Sequence, residues 1–236
     1  MATFLLVHGA WHGAWCWDRV TPLLQAAGHR VIAPTLTGLG DLAHLMSPNI
    51  GIETHVADVV RPLAADGLRG VVLVGHSYGG FLITAAAHRA PERLSHLVYL
   101  DAFVPEDGQS LLELVTPDTR ASIESQARAA GGWRSPPIPV ARWGVTAVDD
   151  VAWLTSRLVD HPLKTFREPI TLAGAAPSVL RTYISCTVEQ KPHYVATARR
   201  VQAQPGWRYR ELPTGHDAMI TLPRPLADLL LEAAAA

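Results

Sequence analysis

Ser77 stands in the stretch Gly75-His76-Ser77-Tyr78-Gly79-Gly80, with a glycine two residues to either side. That spacing suits a nucleophile on a sharp turn, because a hydroxyl that must stand clear of its backbone needs small neighbours. The flanks agree. Val71–Val74 reads as a buried strand and Phe81–Ala90 as a helix, so the serine lies on a strand–turn–helix junction. The start of such a helix aims amide groups at a developing anion. A serine hydroxyl needs a base and an acid to become reactive. His216 is the best placed of the 11 histidines. It sits in Pro213-Thr214-Gly215-His216-Asp217, a polar turn between the last strand-like run and the last helix-like run. From there an imidazole can reach the serine and take its proton. The first strand ends in Val7-His8-Gly9-Ala10. The amides of Ala10 and Tyr78 are the candidate donors to a tetrahedral oxyanion.

Two carboxylates compete for the acid. Asp101 follows the apolar run His96–Leu100, and a carboxylate at the end of a buried strand is costly unless it has a partner. Glu189 follows Thr182–Cys186 in a polar turn, where an ordinary solvated glutamate is the plain alternative. Asp217, beside the histidine, is the weakest candidate. The residues favour Asp101 and leave Glu189 open.

The elements that must position these groups alternate along the chain. Strand candidates are Thr3–Val7, Arg30–Ala33, Val71–Val74, His96–Leu100, Thr182–Cys186 and Arg208–Leu212. Helix candidates are Trp17–Ala27, Thr54–Gly67, Gly79–Ala90, Tyr194–Gln202 and Leu226–Ala235. Near-continuous apolar strands separated by helices imply an α/β class: a doubly wound, mostly parallel sheet of about six strands with helices on both faces. One stretch, about 106–177, breaks the rhythm. It is helical around Val148–Leu158, Pro-rich at Arg134–Pro139, and carries Trp133, Trp143 and Trp153. A long insertion in a compact domain is usually functional. It is expected to cap the carboxyl ends of the strands, where ligands bind in open α/β sheets. Trp11, Tyr78, Phe103 and the cap tryptophans are the candidate walls of an apolar pocket, with Trp133 and Trp153 singled out among the three.

Composition limits the alternatives. A chain of 236 residues with 48% hydrophobic and 17% charged residues suits a single domain with a sizeable core. With Lys+Arg 20 against Asp+Glu 21 and no basic stripe, nucleic acid and membranes are not expected partners. Cys16 and Cys186 form no metal-type cluster, so neither metal nor cofactor is expected, and a reduced, cytoplasmic setting is the simplest reading. A small molecule is the expected partner, and a homodimer is open.

These residues also resemble a known group. Val7-His8-Gly9-Ala10-Trp11-His12-Gly13-Ala14-Trp15, Gly28-His29-Arg30-Val31, Val74–Ser77 and Gly215-His216-Asp217-Ala218-Met219 resemble the plant methylesterase and hydroxynitrile lyase family of α/β-hydrolases, with the chain as a bacterial-type esterase member. The likeness covers both ends of the chain and fades in the cap. It implies a six-stranded α/β-hydrolase core and an ester-hydrolysing triad in which Ser77 is nucleophile and His216 base. Ala10 and Tyr78 would form the oxyanion hole. The family's acid position selects Glu189, where the motif normally carries aspartate. In other α/β-hydrolases the acid follows the preceding strand, which is the place of Asp101 in Tyr99–Pro105. Lyases of the family use a threonine in the first loop and a lysine after the histidine. Here Gly9 and Asp217 hold those places. Haloalkane dehalogenases use an aspartate nucleophile, here replaced by Ser77. The resemblance therefore implies hydrolysis of a carboxylic ester or lactone of a small apolar or aromatic molecule through an acyl-enzyme. Acyl transfer or cyclisation on the same triad, a lyase reaction on the same fold, or ligand binding without catalysis are the alternatives.

Overall fold

The computed structural model of the chain describes residues 1–65, 67–173 and 177–235. Six strands form one sheet: β1 (Thr3–Val7), β2 (Arg30–Ile32), β3 (Val71–His76), β4 (Leu94–Leu100), β5 (Leu180–Cys186) and β6 (Trp207–Leu212). Their spatial order is β2-β1-β3-β4-β5-β6, and every neighbouring pair is parallel. The sequence predicted a mostly parallel sheet; among the described residues it is wholly so.

The order explains where a site can form. The chain leaves β1 for the edge strand β2, then returns past β1 to β3. Right-handed crossovers in opposite directions place their helices on opposite faces. Accordingly α1 (Thr21–Ala26) packs with the C-terminal helix α7 (Pro223–Ala234), while α2 (Ile52–Ala65) packs with α3 (Gly79–Arg89). The carboxyl ends of β1 and β3 diverge at this reversal and open a crevice. All of β3 is buried, as are the last four residues of β1. Strands covered on both faces have no polar side to show, which is why their sequences are continuous apolar runs.

The first predicted helix begins later than its sequence pattern, since Ala14–Trp17 is a separate 3₁₀ turn ending at Asp18. Pro22 then stands in the first turn of α1, where its missing N–H costs nothing. The predicted end of the second helix touches residue 66, outside the described residues. So do residues 174–176 of the cap.

Residues 106–173 lay short elements over the strand ends. These include α4 (Pro117–Ala129), α5 (Val148–Thr155) and an antiparallel pair of two-residue strands, Arg134–Ser135 with His161–Pro162. Helix α4 had no clear sequence signal, because only Ile123 and Ala127 are buried on it. Its N-terminus is nonetheless well marked: Thr116 caps the Thr119 amide and Pro117 opens the first turn. Among the described residues no helix is long and apolar enough to cross a membrane.

Candidate active site

The turn after β3 carries Ser77 with φ 54°, in the left-handed region that a β-carbon disfavours. The glycines around it make the turn possible. A Cβ on Gly79 would lie 2.9 Å from the Val7 carbonyl oxygen, and one on Gly75 would lie 2.8 Å from the Gly79 oxygen. The serine backbone is pinned from the next strand, with its N–H donating to Leu100 at 3.2 Å and its carbonyl accepting from Phe103 at 3.2 Å. The non-glycine described residues with positive φ are Trp11, Ser77, Asp101 and Glu189. They stand just past the carboxyl ends of β1, β3, β4 and β5, which is where backbone strain in such a sheet gathers around a site.

Asp101 and Glu189 are treated differently by the fold. Asp101 is buried, and its Oδ2 accepts from Nδ1 of His216 at 2.7 Å. Its Oδ1 accepts from the Cys186 amide at 3.2 Å. Two charge-assisted contacts of this kind hold a buried carboxylate that would otherwise be expensive. Glu189 is exposed. The sequence alternative of Glu189 as the partner of His216 is therefore corrected, because its side chain turns to solvent while Asp101 takes the imidazole.

His216 is also held from the cap. Its amide donates to the Trp143 carbonyl at 2.8 Å. Gly215 lies so close beneath the Val140–Trp143 turn that a Cβ would come 2.3 Å from the same oxygen. His76 contributes its Nε2, 3.0 Å from the His216 carbonyl. With Nδ1 of His216 committed to Asp101, Nε2 faces the pocket.

That nitrogen does not meet the serine directly. Among the described residues Ser77 and His216 share no hydrogen bond. Ser77 Oγ instead meets Tyr194 Oη at 2.9 Å, and the same phenol oxygen is 3.4 Å from His216 Nε2. Tyr194 lies in the first turn of α6 (Pro192–Gln202). Sequence reasoning saw it as the start of a helix and missed its place here. Nothing in the local sequence distinguishes it from an ordinary core aromatic.

Ala10 and Tyr78 flank Ser77 in the pocket wall. Among the described residues neither of their amides finds a protein acceptor. The Tyr78 hydroxyl points elsewhere, donating to His55 Nδ1 at 3.0 Å, while His55 Nε2 donates to the Thr37 carbonyl at 2.9 Å. Burial keeps His55 neutral, lowering its pKa to about 4.

The pocket walls are largely aromatic. Trp11 stacks on Trp143 with ring centres 5.6 Å apart, and Phe103 and Phe166 continue the lining. Trp11 is fixed by its indole N–H, which donates to the Ser135 carbonyl of the cap at 2.8 Å. Asp118, Arg142 and Lys191 add charge to the lining. Two expected wall residues are corrected. Trp133 and Trp153 do not line the pocket among the described residues. Trp153 is turned to Trp15, Arg19 and Arg157, and Trp133 to Arg134. Trp143 is the cap tryptophan that reaches the site.

Behind the wall lies Asp217, fully buried, with one oxygen 3.7 Å from His12 Nε2 and the other 3.7 Å from His76 Nε2. Burial alone would raise its carboxyl, but the imidazoles around it, His12 foremost, outweigh this and hold it below its ordinary value. His76, His216 and Asp217 bring possible ligand atoms within 4.8 Å of one another. Of these, His216 Nδ1 is engaged by Asp101 and His76 Nε2 by the His216 carbonyl.

Comparison with known proteins gives the family and the fold. The model of the alpha/beta hydrolase family matches residues 4–229. A carbendazim hydrolyzing esterase from Nocardioides is 40% identical over 98% of both chains. Methylesterase 1 of Arabidopsis thaliana is 41% identical over 45% of this chain and 41% of its own length. Among solved structures, the methylesterase MES16 from Arabidopsis superposes with a TM-score of 0.80 at 26% identity, covering 100% of this chain and 99% of that one. An extracellular alpha/beta-hydrolase from Paenibacillus reaches 0.87 at 24% identity, covering 99% of both, a likeness of fold. The chain belongs to the alpha/beta hydrolase family.

Proposed function

We propose that the protein hydrolyses a carboxylic ester or lactone of a small apolar or aromatic molecule through an acyl-enzyme on Ser77. The observation that carries this reading is the 2.7 Å contact of Asp101 with His216 at the mouth of a left-handed serine turn. Asp101 fixes the imidazole with its proton on Nδ1 and stabilises the imidazolium that forms. His216 Nε2 is then the base. Ser77 Oγ attacks the carbonyl carbon, and the π electrons move onto the carbonyl oxygen. The Ala10 and Tyr78 amides receive that oxygen without reorganising. The alcohol leaves with the proton held by His216, and a water activated by the same imidazole releases the acid.

The aromatic walls suit a flat substrate face, and the relatives named for methyl ester and carbendazim hydrolysis make methyl esters and carbendazim the first compounds to assay. We place this chemistry in the cytoplasm, where the two free thiols, Cys16 and Cys186, stay reduced. The test is turnover of a p-nitrophenyl ester by the wild type and by Ser77→Ala. A loss on the order of 10⁴-fold or more is expected. Equal rates reject the serine mechanism.

A further inference from the structure

A serine hydrolase is expected to join its nucleophile to its base by one hydrogen bond, and this site interposes a phenol. We propose, resting on the serine-hydrolase reading above, that Tyr194 is a catalytic residue that relays the proton from Ser77 to His216.

The oxygen of Tyr194 stands 2.9 Å from Ser77 Oγ and 3.4 Å from His216 Nε2. The polarity of this chain is settled by the other end of the imidazole. His216 gives its Nδ1 proton to Asp101 at 2.7 Å, so Nε2 carries a lone pair and can only accept. The phenol O–H therefore donates to Nε2, and its oxygen accepts from the serine O–H. During acylation the Ser77 O–H bond breaks as its proton passes to the Tyr194 oxygen. The Tyr194 proton passes to His216 Nε2, and the serine oxygen pair forms the bond to the carbonyl carbon. The tyrosine ends as it began, neutral, and the imidazolium holds the proton for the leaving alcohol.

The ring is built to stay where it is. It is stacked on His216 at 4.7 Å and 23°, and packed against Phe103 at 5.1 Å and His193 at 4.3 Å. It is only 6% exposed. A lid or a gating side chain would be looser than this. Burial raises the phenol well above its ordinary value, so a phenolate is not stored and both protons move together. The 3.4 Å step is long for a transfer and is expected to shorten when substrate closes the site, as catalytic hydrogen bonds commonly do.

The experiment is the acylation rate on a p-nitrophenyl ester, measured in mixtures of light and heavy water, for the wild type and for Tyr194→Phe. The wild-type plot of rate against deuterium fraction is expected to bow downward, the mark of two protons in flight. Tyr194→Phe keeps the packing ring and is expected to lose about 10²-fold in acylation rate, with KM little changed and a straight, one-proton plot. An unchanged or faster variant overturns the relay, as does a straight plot for the wild type, which requires no variant to fold. Ser77→Ala separates the two claims. Turnover that persists in it rejects the serine reading itself, whereas turnover lost in it while Tyr194→Phe matches the wild type rejects the relay alone.

Discussion

Replacing Asp101 with asparagine would preserve the shape of its contact with His216 while offering an amide that can donate to Nδ1. The imidazole would then carry its proton on the wrong nitrogen. A fall in kcat of about 10⁴-fold is expected, as for a triad whose tautomer is lost. Glu189→Gln is expected to stay within about twofold of wild type, since that side chain is solvated. Steady-state kinetics on both variants decide the matter, and comparable losses would contradict the assignment. The ambiguity between these two residues had a physical source. Asp101 and Glu189 follow adjacent strands, β4 and β5, and both take left-handed backbone. The local sequence marks each as a strand-end carboxylate. Only the direction of the side chain separates them, and that is set by where the His216 turn lands. Ser77 and His216 were legible because their turns have their own signatures. Tyr194 was not, because its role depends on the packing of α6 against two other loops.

The cap and the turn after β6 meet backbone to backbone beside His216. His216 donates its amide to Trp143, and Gly215 leaves no room for a side chain beneath that carbonyl. Gly215→Ala is expected to destabilise the fold by about 1–3 kcal/mol through overpacking. It should also lower kcat/KM, because the turn that must move is the one that holds His216. Urea midpoints and kinetics on the same preparations test this, and a variant with native midpoint and native kcat/KM would show that the contact is slack. The four central strands, β1, β3, β4 and β5, were legible as largely apolar runs because they are buried over most of their length. The cap was not, since its longest helix buries only Ile123 and Ala127 and its periodicity is swamped by Arg, Ser and Glu. The wrong choice among the cap tryptophans has the same origin. A ring on a short, weakly patterned element can face the pocket or the surface with equal sequence support.

Across the described residues, several histidines are buried and kept neutral. Burial lowers His8 to about 3 and His55 to about 4, and pushes His76 and His161 well below their ordinary values. In the unfolded chain each would take up a proton near pH 6.5. Below that pH the unfolded state therefore binds more protons than the native state, so stability falls as pH falls. For His55 the window runs from about 6.5 down to about 4, and for His8 down to about 3. Each contributes a loss of up to about 1.4 kcal/mol per pH unit within its window. Urea unfolding at pH 7 and pH 5 should give a clearly lower midpoint at the acid value. Equal midpoints would mean that these rings are protonated in the native state.

The claim on which the rest depends is that Ser77 becomes covalently acylated. Rapid mixing with p-nitrophenyl acetate, quenching in acid and peptide mass mapping tests it directly. The expected result is a burst of about one equivalent of p-nitrophenol with an acetyl group on the peptide carrying Ser77, both absent in Ser77→Ala. Turnover without a burst, with no adduct on that peptide and with Ser77→Ala as fast as the wild type, would contradict it.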